Sequence, residues 1–277
     1  MSMVTQATPA ATKTARPPQR KRTQLNPKSV LWLFLARVGF LGLLLGGWQL
    51  IATYELVDPS VSSSPGAVMA WLAEALTGSK LWINLQATLT ASLMAWVLAS
   101  VVGTFIGIAL ALLPRVEKVV NPYLSAFNAM PRIALAPLFV VAFGLTINSK
   151  IALAFSIVVF MAINAARTGV ASLDIDHTRL AEVLGASKVE RFFKILLPVA
   201  VPSIFGGLRL GLIYALLGTL TAELIGSVDG IGQQLQEAAG LFQTDAIYGL
   251  LIVLAITATL INAGMSGIER KILRWQP

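Results

Sequence analysis

Residues 179–198 read RLAEVLGASKVERFFKILLP, a charged stretch set between two apolar runs and closed by a proline. Leu180, Val183, Leu184, Phe192, Ile195 and Leu196 recur at helical spacing, with Glu182, Lys188, Glu190, Arg191 and Lys194 between them. The pattern predicts a short amphipathic helix, a turn at Gly185-Ala186-Ser187, and a second helix stopped by Pro198 and Pro202. Gly185 can take a positive φ or admit a neighbour against its backbone. Periodicity alone is equally satisfied by an interfacial helix that lies on a bilayer.

The sequence around this stretch is that of a membrane protein. Of 277 residues, 56% are hydrophobic and 12% charged, about half the charge of a soluble domain. Residues 81–114 and 246–268 contain no Asp, Glu, Lys or Arg. Each run exceeds the roughly 20 helical residues that cross a bilayer. The absence of cysteine excludes disulfides, thiolate metal sites and thiol nucleophiles. The net charge of +8 does not imply nucleic acid, because a basic excess on one side is an ordinary mark of membrane topology.

Six spans are predicted: Val30–Thr53, Leu85–Leu113, Asn128–Leu145, Ile151–Ala166, Ile204–Gly226 and Ala246–Gly267. Pro131 and Pro137 should kink or break the third, and broken segments at membrane depth point to a protein-lined or water-filled path. Residues 1–28 are basic, free of acid and rich in Ala, Thr and Pro, so a disordered tail is expected, followed by an uncleaved first span.

An even number of spans places both termini on one side, with the loops around 114–132 and 167–203. That side collects 17 of the 21 Lys and Arg; the other holds Lys80 and Lys150 against Glu55, Asp58, Glu74, Asp229, Glu237 and Asp245. Both termini are therefore expected to be cytoplasmic. Trp32, Trp48, Tyr54, Trp82, Tyr123 and Trp275 fall near span ends, as in an aromatic belt. Gly103-x-x-x-Gly107 and Gly207-x-x-x-Gly211 suit close helix approach.

Arg37, Arg209 and Glu223 are the ionisable residues expected inside the membrane, and each is a functional candidate. The two arginines are near enough to the cytoplasmic end to snorkel. Glu223, near the outer end of the fifth span, either gates a pathway or faces water. Asn128, Asn164, Thr219 and Thr221 could line a cavity or bond neighbouring helices. His177, beside Asp174 and Asp176, reads as a solvated loop residue, since one His without Cys makes no metal site.

From Leu180 the chain runs LAEVLGASKVERFFKILLPVAVPSIFGGLRLGL. With Gly185 followed nine residues later by Ile195-Leu196-Leu197-Pro198, it resembles the coupling loop of type I ABC importer permeases, in the nitrate, taurine, alkanesulfonate and bicarbonate branch. Ala222-Glu223 with Gly230-Ile231-Gly232, Met130-Pro131 through Pro137-Leu138 and Phe143-Gly144, and the ending Ile268–Trp275 resemble further segments of that branch. Arg179 and Leu180 stand where the pattern has Glu and Ala, Met161-Ala162 where it has Phe-Pro, and Asn262 where an Asp is common.

The resemblance implies an all-α polytopic fold of six transmembrane helices with a cytoplasmic coupling helix between spans four and five. It divides the chain into a tail (1–28), a first helix (30–53), an importer transmembrane domain (80–268, coupling loop 170–200) and a C-terminal tail (269–277). It implies a bacterial plasma (inner) membrane subunit that dimerises with a second copy. Its other partners would be two cytoplasmic ATP-binding subunits, an extracytoplasmic solute-binding protein and the lipid bilayer. No cofactor would be bound directly, since the chain lacks a G-x-x-x-x-G-K-[ST] phosphate cradle and ATP would be used by the partner. Ala181, Glu182, Leu184, Gly185, Ala186, Ser187 and Pro198 would couple to the ATPase. Asn128, Pro131, Asn164, Arg209, Thr221 and Glu223 are candidates for the translocation path, and the solute expected is a small oxyanion. The alternatives are an ATPase-independent channel or ion-coupled transporter, which would favour buried mid-span carboxylates, and a membrane enzyme, which would need clustered His, Asp or Glu.

Overall fold

The computed structural model describes residues 27–58 and 62–274. The basic tail up to residue 26, the side chain of His177 and Trp275 lie outside the described residues. The chain divides into two units, residues 1–47 and 48–277, and the boundary falls within α1 (Pro27–Thr53).

The second unit is entirely helical among the described residues. In order it contains α2 (Pro65–Thr77), α3 (Ser79–Leu112), α4 (Pro114–Ala129) and a 3-10 turn (Arg132–Leu135), then α5 (Ala136–Phe143), α6 (Ile147–Ala171), α7 (Ile175–Val183) and α8 (Lys188–Arg191). A π-helical turn (Phe192–Leu196) leads into α9 (Leu197–Ile225), followed by α10 (Ile231–Gly240) and α11 (Thr244–Ile272). Among the described residues five helices are long and apolar enough to cross a membrane, and six spans result if α4 and the Arg132–Phe143 segment, bent by 81°, form one broken span.

Several boundaries depart from expectation. The loop foreseen at 114–132 is the helix α4. The third span breaks between Met130 and Pro131, because a residue before proline is pushed out of the α region; Met130 is extended at φ −67°, ψ 136°. Pro137 sits in the first turn of α5, where its missing N–H costs nothing, so only one of the two prolines breaks the chain. The fourth span is longer at both ends than Ile151–Ala166, which draws Lys150 and Arg167 into α6.

Pro198 and Pro202 do not stop a helix. The Leu197 N–H reaches back five residues to the Phe192 carbonyl, and this wide π turn absorbs the donor that Pro198 lacks. The chain therefore passes from α8 into α9 without interruption, and Pro202 is carried inside α9.

α3, α6 and α9 form the core through small residues. Ala91, Ala95, Ala99, Ala154, Ala166, Ala200 and Ala215 are fully buried, so the backbones approach closely. A Cβ on Gly103 would fall 2.5 Å from the Val159 carbonyl and 2.6 Å from Ala162 Cβ, and one on Gly107 2.5 Å from the Ile163 carbonyl. The first G-x-x-x-G motif thus seats α3 on α6. Trp96 Nε1 donates to the Leu208 carbonyl at 2.9 Å, and Ser203 Oγ to the Ala165 carbonyl at 3.1 Å; these tie α9 to α3 and α6. Gly103→Val is expected to cost about 1–3 kcal/mol by overpacking and to lower the melting temperature of the detergent-purified protein. Gly264→Ala, which meets nothing within 4 Å, should leave melting unchanged; equal melting of the two variants would refute the packing argument.

Candidate functional site: the helical loop, the buried ion pair and the broken span

The loop between α6 and α9 is rigid for reasons visible in its residues. Asp174 caps α7 by accepting from the Asp176 N–H at 3.0 Å. At the other end Gly185 lies in the left-handed region, φ +79°. The Ala186 N–H returns to the Ala181 carbonyl at 2.9 Å and the Gly185 N–H to the Glu182 carbonyl at 3.0 Å, the paired bonds of a Schellman cap. Two residues later Ser187 and Glu190 form a reciprocal capping box that starts α8. Glu182 and Arg191 bridge the two short helices as an ion pair. Arg179, standing where the pattern has Glu, is exposed beside Asp176 at 3.6 Å.

The predicted coupling residues therefore fall into two groups. Ala181 is buried, and Glu182, Ser187 and Pro198 shape the loop's backbone and its entry into α9. Leu184 is 77% exposed, with Val183 at 85%, and Gly185 has open space where a Cβ would sit; Ala186 follows in the same turn. A turn with two large aliphatic side chains projecting from a rigid frame can dock into a groove of another protein.

The most heavily bonded part of the unit lies at the far end of α9 from this loop. Glu223 is fully buried, so it does not face water as one sequence alternative had it. Its carboxylate is met by Lys150 Nζ of α6 at 3.1 Å, by Thr88 Oγ1 of α3 at 2.9 Å and by the Gly232 N–H of α10 at 2.9 Å. Lys150, also buried, donates further to the Asp229 carbonyl at 2.8 Å and side chain at 2.5 Å. Thr88 Oγ1 accepts from the Ile231 N–H at 2.9 Å, and Asn84 Oδ1 from the Gly230 N–H at 2.7 Å. Gly230 is at φ +108°, and a Cβ there would fall 2.1 Å from Glu223 Oε1, so the Gly-x-Gly run is shaped around the carboxylate. The arrangement is a clasp joining α3, α6, α9 and α10.

Lys150 was expected to be a loop cation, and this is a correction. It sits in the first turn of α6, behind the cap Thr146, whose Oγ1 accepts from the Asn148 N–H. That cap, followed directly by the apolar run from Ile151, is the signal that would have placed the lysine within the helix.

Of the proposed path residues, one lines a cavity: Thr221, in a space of about 250 Å³ with Met130, Arg132, Ile133, Ile157, Tyr214, Leu217 and Gly218; Asn128 and Pro131 are neighbours in sequence of its lining residues without lining it. Asn128 Oδ1 accepts from Arg132 at 2.7 Å. Arg132, foreseen as a loop cation, instead lies at the break of the third span, 4.3 Å over the Phe160 ring. Asn164 is exposed on α6, away from the residues of this cavity. Arg209 does not simply reach to an interface: it donates to Asn262 Oδ1 at 2.9 Å and pairs with Glu269 at 3.2 Å. The Asn found where an Asp is common thus still holds the arginine, and Glu269 supplies the charge.

A bundle of membrane-length helices, one of them broken beside a cavity, with a rigid helical loop between its fourth and fifth spans, defines a polytopic membrane permease. The family described as binding-protein-dependent transport system inner membrane component matches residues 99–275. The chain belongs to that family and is a permease subunit of an ABC importer, a multi-pass inner-membrane protein. It is 32% identical over 243 residues to the taurine transport system permease protein TauC of Escherichia coli K12, covering 86% of this chain and 88% of that one. Against the putative aliphatic sulfonates transport permease protein SsuC of Bacillus subtilis 168 the identity is 30%, covering 83% of each. A solved inward-facing structure of the MetNI methionine ABC transporter shares the fold at TM-score 0.61 and 17% identity, covering 69% of this chain and 97% of that one.

Proposed function

We propose that the protein forms, as a homodimer, the translocation path for a small oxyanion such as a sulfonate, nitrate or bicarbonate. The solute is handed over by an extracytoplasmic binding protein, and two cytoplasmic ATP-binding subunits drive the cycle. The permease binds no nucleotide or other cofactor itself. The observation that carries this reading is the loop at 174–198: doubly capped, ion-paired across its turn, bearing exposed Val183 and Leu184, and continuous through the π turn with α9. A loop of that kind passes a push from a docked ATPase to a membrane helix without dissipating it in loop motion.

The excess of loop cations on one side supports the orientation that follows. Both termini and the 174–198 loop face the cytoplasm, and the Lys150–Glu223 clasp lies toward the outer face. The sulfonate preference rests on the taurine and aliphatic-sulfonate relatives alone; the basic excess of the chain, a mark of topology, adds nothing to it.

The test is co-purification of the tagged permease with the ATPase encoded beside it, followed by ATP-driven uptake of radiolabelled taurine, nitrate and bicarbonate into proteoliposomes holding the complete complex. Retention of the ATPase and uptake of an anion are expected. A permease that keeps no ATPase in nanodiscs, or that transports without ATP, would favour an ATPase-independent transporter.

A further inference from the structure

We propose that Arg132, at the break of the third span, is the residue of the translocation path that contacts the anionic group of the solute. The proposal rests on the oxyanion reading above and names where in the chain the anion is met.

The break is built by the sequence Met130-Pro131. Met130 is extended, Pro131 stands at φ −70°, ψ 88°, and only a short 3-10 turn follows before α5. Non-helical backbone at membrane depth persists where it is enclosed by protein or lines a water-filled cavity, and here it lines one. The cavity of about 250 Å³ is smaller than the roughly 300–1,000 Å³ of drug-sized ligand sites, a size that suits a small ion with few waters. Its lining is mostly apolar, and Arg132, Thr221 and Tyr214 are the residues in it that carry polar side-chain groups.

Arg132 is held in place but not consumed. Nη2 donates to Asn128 Oδ1 at 2.7 Å and Nη1 to the Ile157 carbonyl at 3.3 Å, while the Phe160 ring lies under the guanidinium at 4.3 Å. Both acceptors are neutral, and Arg132 takes part in no ion pair among the described residues. This sets it apart from Lys150, Arg167 and Arg209, each of which faces a carboxylate. Two of its five N–H groups are engaged, which leaves three free for a sulfonate or nitrate oxygen. A positioned, half-buried cation with a neutral anchor, on the wall of a cavity beside a broken helix, has the chemistry of an anion subsite.

The test uses proteoliposomes of the complete complex, with saturating binding protein and ATP, and measures maximal uptake of radiolabelled taurine, methanesulfonate, nitrate and bicarbonate. Arg132→Gln is expected to lower uptake of the transported anion about tenfold or more, Arg132→Lys to retain a substantial part, and Arg115→Gln, an exposed cation on α4, to match wild type. Thr221→Asp leaves the Asn128 and Ile157 contacts in place but adds a carboxylate to the same wall, and it should lose transport without a change in melting temperature. If Arg132→Gln carries the anion at the wild-type rate, or if Lys and Gln impair it equally, Arg132 has only a structural role and the proposal falls while the oxyanion reading stands. If the wild-type complex carries a solute without an oxyanion group and none of the four anions, both fall together.

Discussion

Replacing Lys150 by alanine is expected to be among the most destabilising single truncations in the protein. The change leaves the buried Glu223 carboxylate facing only Thr88 Oγ1 and the Gly232 N–H. Breaking a buried pair by removing one partner costs about 3–5 kcal/mol, at least about a fifth of the roughly 5–15 kcal/mol that holds a typical domain folded. Because the same lysine holds the Asp229 carbonyl, the 226–230 segment should loosen at the same time. Glu223→Ala should be as severe, since it strands Lys150. Asp229→Ala should be mild, because its side chain is half exposed and a solvent-accessible pair contributes only about 0–1 kcal/mol. The check is a melting series in one detergent. The double variant Lys150→Met with Glu223→Gln should melt above the sum of the two single losses, because it leaves no uncompensated charge. A Lys150→Ala protein that melts with wild type would show that the pair does not hold the helices together.

Why this clasp escaped the sequence, when the spans did not, is a matter of range. Hydropathy acts locally: the uncharged runs at 81–114 and 246–268 report α3 and α11 directly. The loop at 174–198 was also legible, because its caps are local chemistry: Gly185 for the left-handed residue, and Ser187 with Glu190 three residues on for the box. Lys150, by contrast, meets partners 73 and 79 residues away, and a cation at the edge of an apolar run reads as a loop residue. Arg132 was misread in the same way. α4 was recoverable: Val116, Val119, Val120, Tyr123, Leu124 and Phe127 recur at helical spacing, but its charges drew it into a loop. The expected stop at Pro198 and Pro202 failed for a different reason. Proline removes a donor and adds a clash, yet at Pro198 the π turn just before it accommodates the proline, and nothing in the composition reports such a turn; Pro202 is simply carried inside α9.

Gly185→Trp is expected to abolish transport while the permease itself still folds. Space does not oppose the substitution, since a Cβ there meets nothing within 4 Å. The backbone does: at φ +79° an L-residue costs roughly 1–2 kcal/mol. The loop can shed that strain by giving up the Schellman bonds from Gly185 and Ala186 to Glu182 and Ala181. Either outcome spoils a docking surface. If the turn holds, an indole projects beside Leu184 into whatever groove receives it; if it opens, Val183 and Leu184 lose their presentation. The cost stays local, because the 183–185 turn is exposed and Gly185 has open space around it, so melting should fall by no more than a few degrees. Gly185→Asn separates the two causes, since asparagine tolerates the left-handed region with a small side chain. It should keep the loop shape and a measurable share of ATPase binding. The measurement is the amount of ATPase that co-purifies with each variant, set beside ATP-driven uptake. Wild-type uptake by the tryptophan variant would show that the 184–187 turn makes no contact that transport needs. Loss of the ATPase by a folded Gly185→Trp protein, with partial retention by Gly185→Asn, would place the energy-transmitting contact at this turn.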